Sequence, residues 1–146
     1  GDPENPDAQY RTEYSIKALT DAGIQVKELT KQVGNWDQTK GQELVASALT
    51  QYGNDLEVVF CNNDAMALGA AAAIEAAGRK VGEDIYLLGV DALDECQEMV
   101  QKGTMTGTVL NDHIGQSHTA VDVAIKALNG EAIDNYYWVD YVKVTK

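Results

Sequence analysis

Three apolar runs in this chain each stop at polar side chains, and a helical pattern begins directly after each one. The junctions are 56–61 followed by Asn62-Asn63-Asp64, 85–90 followed by Asp91, and 106–110 followed by Asn111-Asp112. Strands that alternate with helices predict an α/β domain with right-handed crossovers and a largely parallel sheet. The carboxyl ends of parallel strands meet at one edge of the sheet, and ligands bind in the crevice outside that edge. We therefore expect these polar residues to line a single rim.

The apolar periodicity predicts an open, mostly parallel, Rossmann-like sheet with helices on both faces. We predict helices near 5–22, 44–52, 65–77, 93–102 and 114–129, and strands at 24–29, 56–61, 85–90, 106–110 and 136–144. The 24–29 run is predicted as a strand because apolar and polar residues nearly alternate there, and Asp64 is expected to cap the third helix. A length of 146 residues with 45% hydrophobic content fits one domain, which we assign to residues 1–146.

Composition excludes several classes of function. A net charge of −12 argues against nucleic-acid binding, which needs a basic face. No strand is followed by a G-x-G-x-x-G or P-loop motif, which argues against a nucleotide-binding module. Cys61 and Cys96 are interpreted as buried thiols, with a catalytic cysteine as the alternative. His113 and His118 lie five apart on a predicted helix and do not share a face, so both are interpreted as surface or packing residues.

The chain opens on a helix start with no strand before it. Gly1-Asp2-Pro3-Glu4 resembles a strand-to-helix loop, and Asn5 and Pro6 suit the cap and first turn of a helix. One interpretation is that the helix packs on a sheet lacking that strand, and the other is that this chain is a piece of a longer one. The second interpretation predicts open strand edges, which recruit other strands. We then expect completion by a companion fragment, by exchange with a second copy or by a rearranged sheet.

Four stretches together resemble the periplasmic galactose/glucose-binding proteins, which serve sugar ABC transport. They are GDPENPDAQYR at 1–11, NNDAMALG at 62–69, GVDAL at 89–93 and GTVLND at 107–112. The resemblance implies the C-terminal lobe of a two-lobed, non-enzymatic protein that closes on a glucose- or galactose-like hexose. It also implies an N-terminal lobe, membrane subunits of a transporter and a chemoreceptor as partners. The implied location is periplasmic or extracellular and lipid-anchored.

The same resemblance assigns sugar contacts to seven residues of this chain. They are Asn5, Asp7, Arg11, Trp36, Asn63, Asp91 and Asn111. Each also has a structural interpretation: helix capping for the Asn and Asp residues at strand ends, a helix ion pair for Asp7 with Arg11, and a core position for Trp36. Asn5 departs from the family, which usually has a histidine there.

No cofactor is expected to be required, although the resemblance implies calcium in an intact protein. Glu57 matches a residue that closes the family's calcium site, but this chain has no Asp-x-Asp-x-Asp-Gly loop. Glu57 is therefore a metal ligand only if that loop is supplied from elsewhere.

Two other classes of function stay open from the sequence. The effector domain of a sugar-sensing transcription regulator or sensor protein would share the fold, but no basic helix-turn-helix segment is present. A sugar hydrolase could use Asp7 and Asp91 as its carboxylate pair. We expect both carboxylates to be exposed beside Arg11, whose charge would keep them ionised and poor as general acids.

Overall fold

A four-stranded, mostly parallel sheet organises the chain, in a computed structural model that describes all residues 1–146. The strands are β1 (Val58–Phe60), β2 (Tyr86–Leu88), β3 (Gly107–Leu110) and β4 (Val142–Thr145), in spatial order β1-β2-β3-β4. β1, β2 and β3 run parallel, and β4 runs antiparallel to β3. The predicted α/β class with a mostly parallel sheet is confirmed.

Five α-helices accompany the strands: two precede β1, and the other three alternate with the strands. They are α1 (Pro6–Asp21), α2 (Gln38–Tyr52), α3 (Asp64–Ala76), α4 (Asp94–Lys102) and α5 (His113–Leu128), with a 3₁₀ turn at Gly53–Asp55. Four of the helices begin at an Asn or Asp whose side chain accepts a backbone N–H of the first turn: Asn5, Asp37, Asn63 and Asp112. These side chains satisfy donors that the helix itself leaves unpaired, which fixes where each helix begins.

The hydrophobic core lies where α2 and α3 pack together against the sheet. Ala67 and Ala70 of α3 are fully buried, and small side chains there let the two helices approach closely. Gly69 allows the closest approach, because a Cβ at this position would lie 1.9 Å from the backbone oxygen of Gln38 in α2. The opposite face of the sheet is more open, since Val58 and Tyr86 are exposed.

Two strand predictions were wrong in whole or in part. Residues 24–29 form no strand, and no residue between 25 and 33 makes a backbone–backbone hydrogen bond. Residues 24–28 are exposed whether apolar or polar, so the alternation does not report a buried face; a strand also needs a neighbour to pair with, and the sheet ends at β1. The predicted strand at 136–144 forms only from Val142, where pairing with β3 begins.

Both cysteines are free and buried, as predicted. Burial raises the pKa of each thiol to about 12, so neither supplies a thiolate at neutral pH. The alternative of a catalytic cysteine is therefore not supported. No helix combines the length and the apolar character needed to cross a bilayer.

Candidate functional site

The loops after β1, β2 and β3 lie side by side at one edge of the sheet. Backbone pairing continues past the strands: the N–H of Asp64 donates to Val90 O at 2.7 Å, and the N–H of Asp91 donates to Val109 O at 2.8 Å. These two bonds hold the three junctions together in sequence order. The rim that the strand-to-helix pattern predicts is therefore present.

Arg11 lies at the centre of this rim, although it comes from α1. Its Nη1 donates to the backbone oxygen of Asn62 at 2.8 Å and lies 3.5 Å from Asp91 Oδ1. Its Nη2 lies 3.8 Å from Asp7 Oδ2, one helical turn earlier. The Arg11 side chain is only 13% exposed, so these contacts fix its direction. A guanidinium held in this way can donate to a ligand without reorganising.

Trp36 lies beside Arg11 in a tight turn before α2. The N–H of Asp37 donates to Gly34 O at 2.9 Å, and the two central residues, Asn35 and Trp36, have φ values of 49° and 63°. The Arg11 guanidinium lies 5.8 Å from the centre of the indole ring. The half-buried ring also packs against the hydrophobic core. The core interpretation of Trp36 therefore holds in part, and its contact with a sugar stays a prediction.

Asn63 serves both as a cap and as a clamp on the tryptophan turn. Its Oδ1 accepts the N–H of Met66 at 3.1 Å, which caps α3, and its Nδ2 donates to Trp36 O at 3.3 Å. The capping interpretation is thus correct for Asn63, and the prediction that Asp64 caps α3 was wrong. Asp64 is instead the first helical residue.

Asp91 has no capping role. The residue that precedes α4 is Leu93, so the Asp91 side chain is not used by a helix start. Its φ of 117° is unusual for any residue other than glycine. Burial raises the pKa of this carboxyl, and the Arg11 charge partly opposes that rise. Our expectation of an exposed carboxylate is therefore wrong for Asp91, which is half-buried, and burial has a larger effect on its pKa than the Arg11 charge.

Asn111 and Asn5 differ in whether a helix start uses their side chains. Asn111 does not cap α5, which is capped by Asp112, and its Oδ1 instead accepts from Gln116 Nε2 at 2.7 Å. Asn5 caps α1 by accepting the N–H of Asp7 at 2.8 Å, so its side-chain oxygen is already used. Asn111 is partly exposed at the rim, whereas Asn5 contributes mainly to the helix start.

Sequence reasoning missed the structural role of two buried residues that support the rim. Buried Asn62 joins α1 to the end of β1, since its Nδ2 donates to Thr12 Oγ1 at 3.0 Å. Fully buried Asp64 accepts the Thr108 hydroxyl at 2.7 Å and the Leu93 N–H at 2.9 Å, and burial raises the pKa of its carboxyl. The asparagine run itself was visible in the sequence, but a buried partner on a distant element was not.

Backbone strain is concentrated at this site. The only residues other than glycine with positive φ are Asn35, Trp36, Asp91 and Ala92. Such conformations cost about 1–3 kcal/mol each and persist where the surroundings impose them. All four lie on the two loops that flank Arg11.

The surroundings of Glu57 do not fit a calcium ion. Glu57 is exposed at the start of β1, and no group of three or more His, Cys, Asp or Glu residues in the chain could hold a metal. Calcium takes six to eight oxygen ligands, so Glu57 alone is insufficient. The expectation that it closes a site with residues from elsewhere stays a prediction.

The rim offers one guanidinium, several carboxylate and amide groups, and one indole. These groups suit a neutral ligand rich in hydroxyls, because each hydroxyl can donate to a carboxylate and accept from an arginine or amide. His113 and His118 are exposed on α5, as predicted, and form no part of the rim.

Comparison with known proteins identifies the family and the fold. The periplasmic binding protein domain matches residues 1–132. The D-galactose/methyl-galactoside binding periplasmic protein of Haemophilus influenzae is 39% identical over 133 residues, which cover 90% of this chain and 39% of that protein. The ribose import binding protein of Salmonella typhimurium is 36% identical over 120 residues, covering 81% of this chain and 38% of that protein. The chain thus spans less than half the length of these curated relatives.

Two solved structures show the same architecture. A periplasmic solute binding protein from Actinobacillus succinogenes with bound D-allose matches 99% of this chain and 50% of its own, with a TM-score of 0.90 and 28% identity. A solute binding protein from Bacillus halodurans with bound myo-inositol matches 99% of this chain and 49% of its own, with a TM-score of 0.85 and 32% identity.

Proposed function

Because this chain belongs to the periplasmic binding protein domain family, we propose that it binds a monosaccharide at the Arg11 rim, as one lobe of a transport protein. The observation that carries the proposal is the position of Arg11. It is nearly buried, fixed by Asn62 and Asp91, and lies beside an indole ring. These are the groups that a pyranose needs around it.

The sugar is held by paired hydrogen bonds. The Arg11 N–H groups donate to ring hydroxyl oxygens, while Asp91 and Asp7 accept hydroxyl protons from the same ligand. Asn63 and Asn111 can each donate and accept. Hydrogen bonds to charged groups contribute about 1.5–3 kcal/mol each, so a few of them suffice for specific binding. The indole covers the apolar C–H face of the sugar.

Closure against a second lobe completes the site. The rim is one wall of a cleft, and a facing wall excludes water and strengthens each hydrogen bond. The two-lobed protein would deliver its sugar to the membrane subunits of an ABC transporter, and a chemoreceptor is a further partner on this proposal. Its location is periplasmic, and Glu57 would contribute to a calcium site only if a calcium loop is supplied from elsewhere.

We propose a hexose of the glucose or galactose type as the ligand. The support is the relative from Haemophilus influenzae, whose name refers to D-galactose and which shares 39% identity. The bound D-allose and myo-inositol in the related structures show that this lobe shape also accepts other six-membered polyols. Asn5 is the residue at which this chain departs from the family, so it affects the choice among them.

Binding is favoured over the two other classes of function. The relatives are transport proteins that bind sugars without catalysis. A hydrolase needs a general acid beside the scissile bond, whereas here Asp7 and Asp91 both face the permanent charge of Arg11. A transcription regulator is less well supported, because the named relatives are solute-binding proteins of sugar transport.

Substitution of Trp36 and Asn5 tests the proposed site. In an intact protein containing this chain, we expect Trp36→Ala to weaken hexose binding by about 1–2 kcal/mol more than Asn5→Ala, because the ring supplies a desolvated stack. Asn5 already uses its side-chain oxygen to cap α1. Isothermal titration with D-galactose and D-glucose measures both losses. Equal losses would show that the stack does not dominate, and no loss with either variant would place the sugar elsewhere.

A further inference from the structure

The loop that follows β2 holds two consecutive residues other than glycine at positive φ. Asp91 has a φ of 117° and Ala92 a φ of 54°. L-residues are sterically disfavoured in this region, so such a pair persists only where neighbouring groups impose it. The same loop carries the Asp91 carboxyl to 3.5 Å from Arg11 Nη1. The groups that hold the loop therefore also decide where the Asp91 carboxyl points.

Two successive backbone N–H groups of this loop end on buried side chains. The N–H of Ala92 donates to Thr108 Oγ1 at 3.3 Å. The N–H of the next residue, Leu93, donates to Asp64 Oδ2 at 2.9 Å. The Thr108 hydroxyl in turn donates to Asp64 Oδ1 at 2.7 Å. One hydroxyl and one carboxylate thus close a ring of hydrogen bonds around the two peptide groups that follow Asp91.

This ring is enclosed by the protein, since Asp64 is fully buried and Thr108 and Ala92 are only 2% and 6% exposed. The Thr108 hydroxyl has one proton and free lone pairs, so it can accept the Ala92 N–H while it donates to Asp64. Gly89 makes room for the carboxylate, because a Cβ at this position would overlap Asp64 Oδ1. Without the hydroxyl, the Ala92 N–H would have no acceptor in the ring. The Asp91–Ala92 peptide would then be free to rotate out of its strained conformation.

We propose that Thr108 is a positioning residue for the sugar site, which acts by holding the Asp91 loop at positive φ. The inference rests on the proposed function, because it assigns Thr108 a role in the affinity of the same rim. Since Thr108 is buried, its side chain does not contact the ligand itself. Its effect on binding passes through the loop to the Asp91 carboxyl.

Threonine variants of an intact protein containing this chain test the proposal by isothermal titration with D-galactose. Thr108→Val keeps the shape of the side chain and removes the hydroxyl, so the affinity should fall about fivefold, the equivalent of one hydrogen bond. Thr108→Ala removes the same hydroxyl with a smaller side chain and should show the same loss. Thr108→Ser keeps the hydroxyl and should change the affinity less than about twofold. The matched control Thr106→Val removes a hydroxyl that accepts the Leu87 N–H at 3.0 Å, so it should lower stability and leave the affinity unchanged.

A double-variant cycle separates positioning from general support of the fold. An Asp91→Gly background has no carboxylate to hold, so Thr108→Val should cause no further loss of affinity there. The same loss in that background, or equal losses in Thr108→Ser, Thr108→Val and Thr106→Val, would overturn the proposal. Unchanged affinity in Asp91→Gly alone would instead overturn the sugar contact on which the proposal depends.

The backbone gives a second readout that needs no ligand. In NMR spectra of this chain, the one-bond Cα–Hα couplings of Asp91 and Ala92 distinguish positive from negative φ. We expect these couplings to change in Thr108→Val and to match the wild type in Thr108→Ser. Wild-type couplings in Thr108→Val would show that the hydroxyl does not hold the loop. That result would overturn the inference and leave the proposed sugar site intact.

Discussion

The ends of β1 and β2 both present Asn or Asp residues to the rim, but the fold uses them differently. At the end of β1, Asn62, Asn63 and Asp64 all make bonds that hold the structure: to Thr12, to the N–H of Met66 and to Thr108. At the end of β2, Asp91 caps nothing, lies at a φ of 117° and faces Arg11. The first junction supports the site, and the second is available to a ligand.

This difference shows that residue type and position at a strand end do not identify a ligand contact. What separates Asp91 from Asp64 is whether the protein already satisfies the side chain. A polar group that the fold leaves partly free, in a strained conformation, lowers the stability of the fold. Such a residue is retained where it has a function. The comparison therefore predicts that substitution of Asp64 at the first junction lowers stability, whereas substitution of Asp91 at the second junction lowers the affinity for sugar.

Substitution of Asp64 should give the largest effect. Asp64→Ala leaves the buried Thr108 hydroxyl and the Leu93 N–H without an acceptor, and we expect a loss of about 3 kcal/mol or more in the free energy of unfolding. The control Asp64→Asn keeps one acceptor oxygen and should lose less. Urea denaturation measures both variants. If Asp64→Ala were as stable as the wild type, the supporting role of the first junction would be wrong.

Substitution of Asp91 should separate stability from binding. Asp91→Asn keeps the shape and removes the charge, so the sugar affinity should fall about tenfold or more with little change in stability. Asp91→Gly should lose as much affinity yet gain about 1 kcal/mol in stability, because glycine adopts the φ of 117° without strain. Calorimetric titration and thermal unfolding measure the two quantities. A destabilised Asp91→Gly variant would mean that Asp91 supports the fold as Asp64 does.

The two asparagines at the rim should differ from each other in their effect on stability. Asn63→Ala removes the cap of α3 and should cost about 1 kcal/mol in unfolding free energy. Asn111→Ala removes only the bond to Gln116 and should change stability by less than about 0.5 kcal/mol. Thermal denaturation of the two variants compares them directly, and an equal destabilisation would remove the distinction between a capping and a free asparagine.

The sequence was sufficient to predict the parallel strands and most of the helices. Apolar runs such as 85–90 contain the strands, although one face of the sheet is more open than a continuous apolar run suggests, and the cap at Asn5 follows from residue type. The strand predicted at 24–29 did not form. Alternation of apolar and polar residues indicates sidedness only, whereas a strand also needs a hydrogen-bonded neighbour, and β1 does not pair with this segment.

The residues of the candidate site came from a resemblance, and their role in sugar binding stays a prediction. The structure places Arg11 in contact with both Asp91 and Trp36, a geometry that the sequence did not indicate. The positive φ values of Trp36 and Asp91 have no local signal, because neither residue type prefers that conformation. The role of Asn62 depends on Thr12, fifty residues away in the chain, which no sequence period connects to it.

The central claim is that the rim around Arg11 binds a sugar through Asp91. The most direct measurement is a ¹H–¹⁵N NMR titration of this chain with D-galactose, repeated on Asp91→Asn, because NMR detects weak binding by a half cleft. We predict saturable shifts of the Trp36 indole N–H and of the Asn63 and Asn111 side-chain amides, which disappear in the variant. Shifts confined to α5 and the C-terminal residues, or shifts unchanged in Asp91→Asn, would contradict the account.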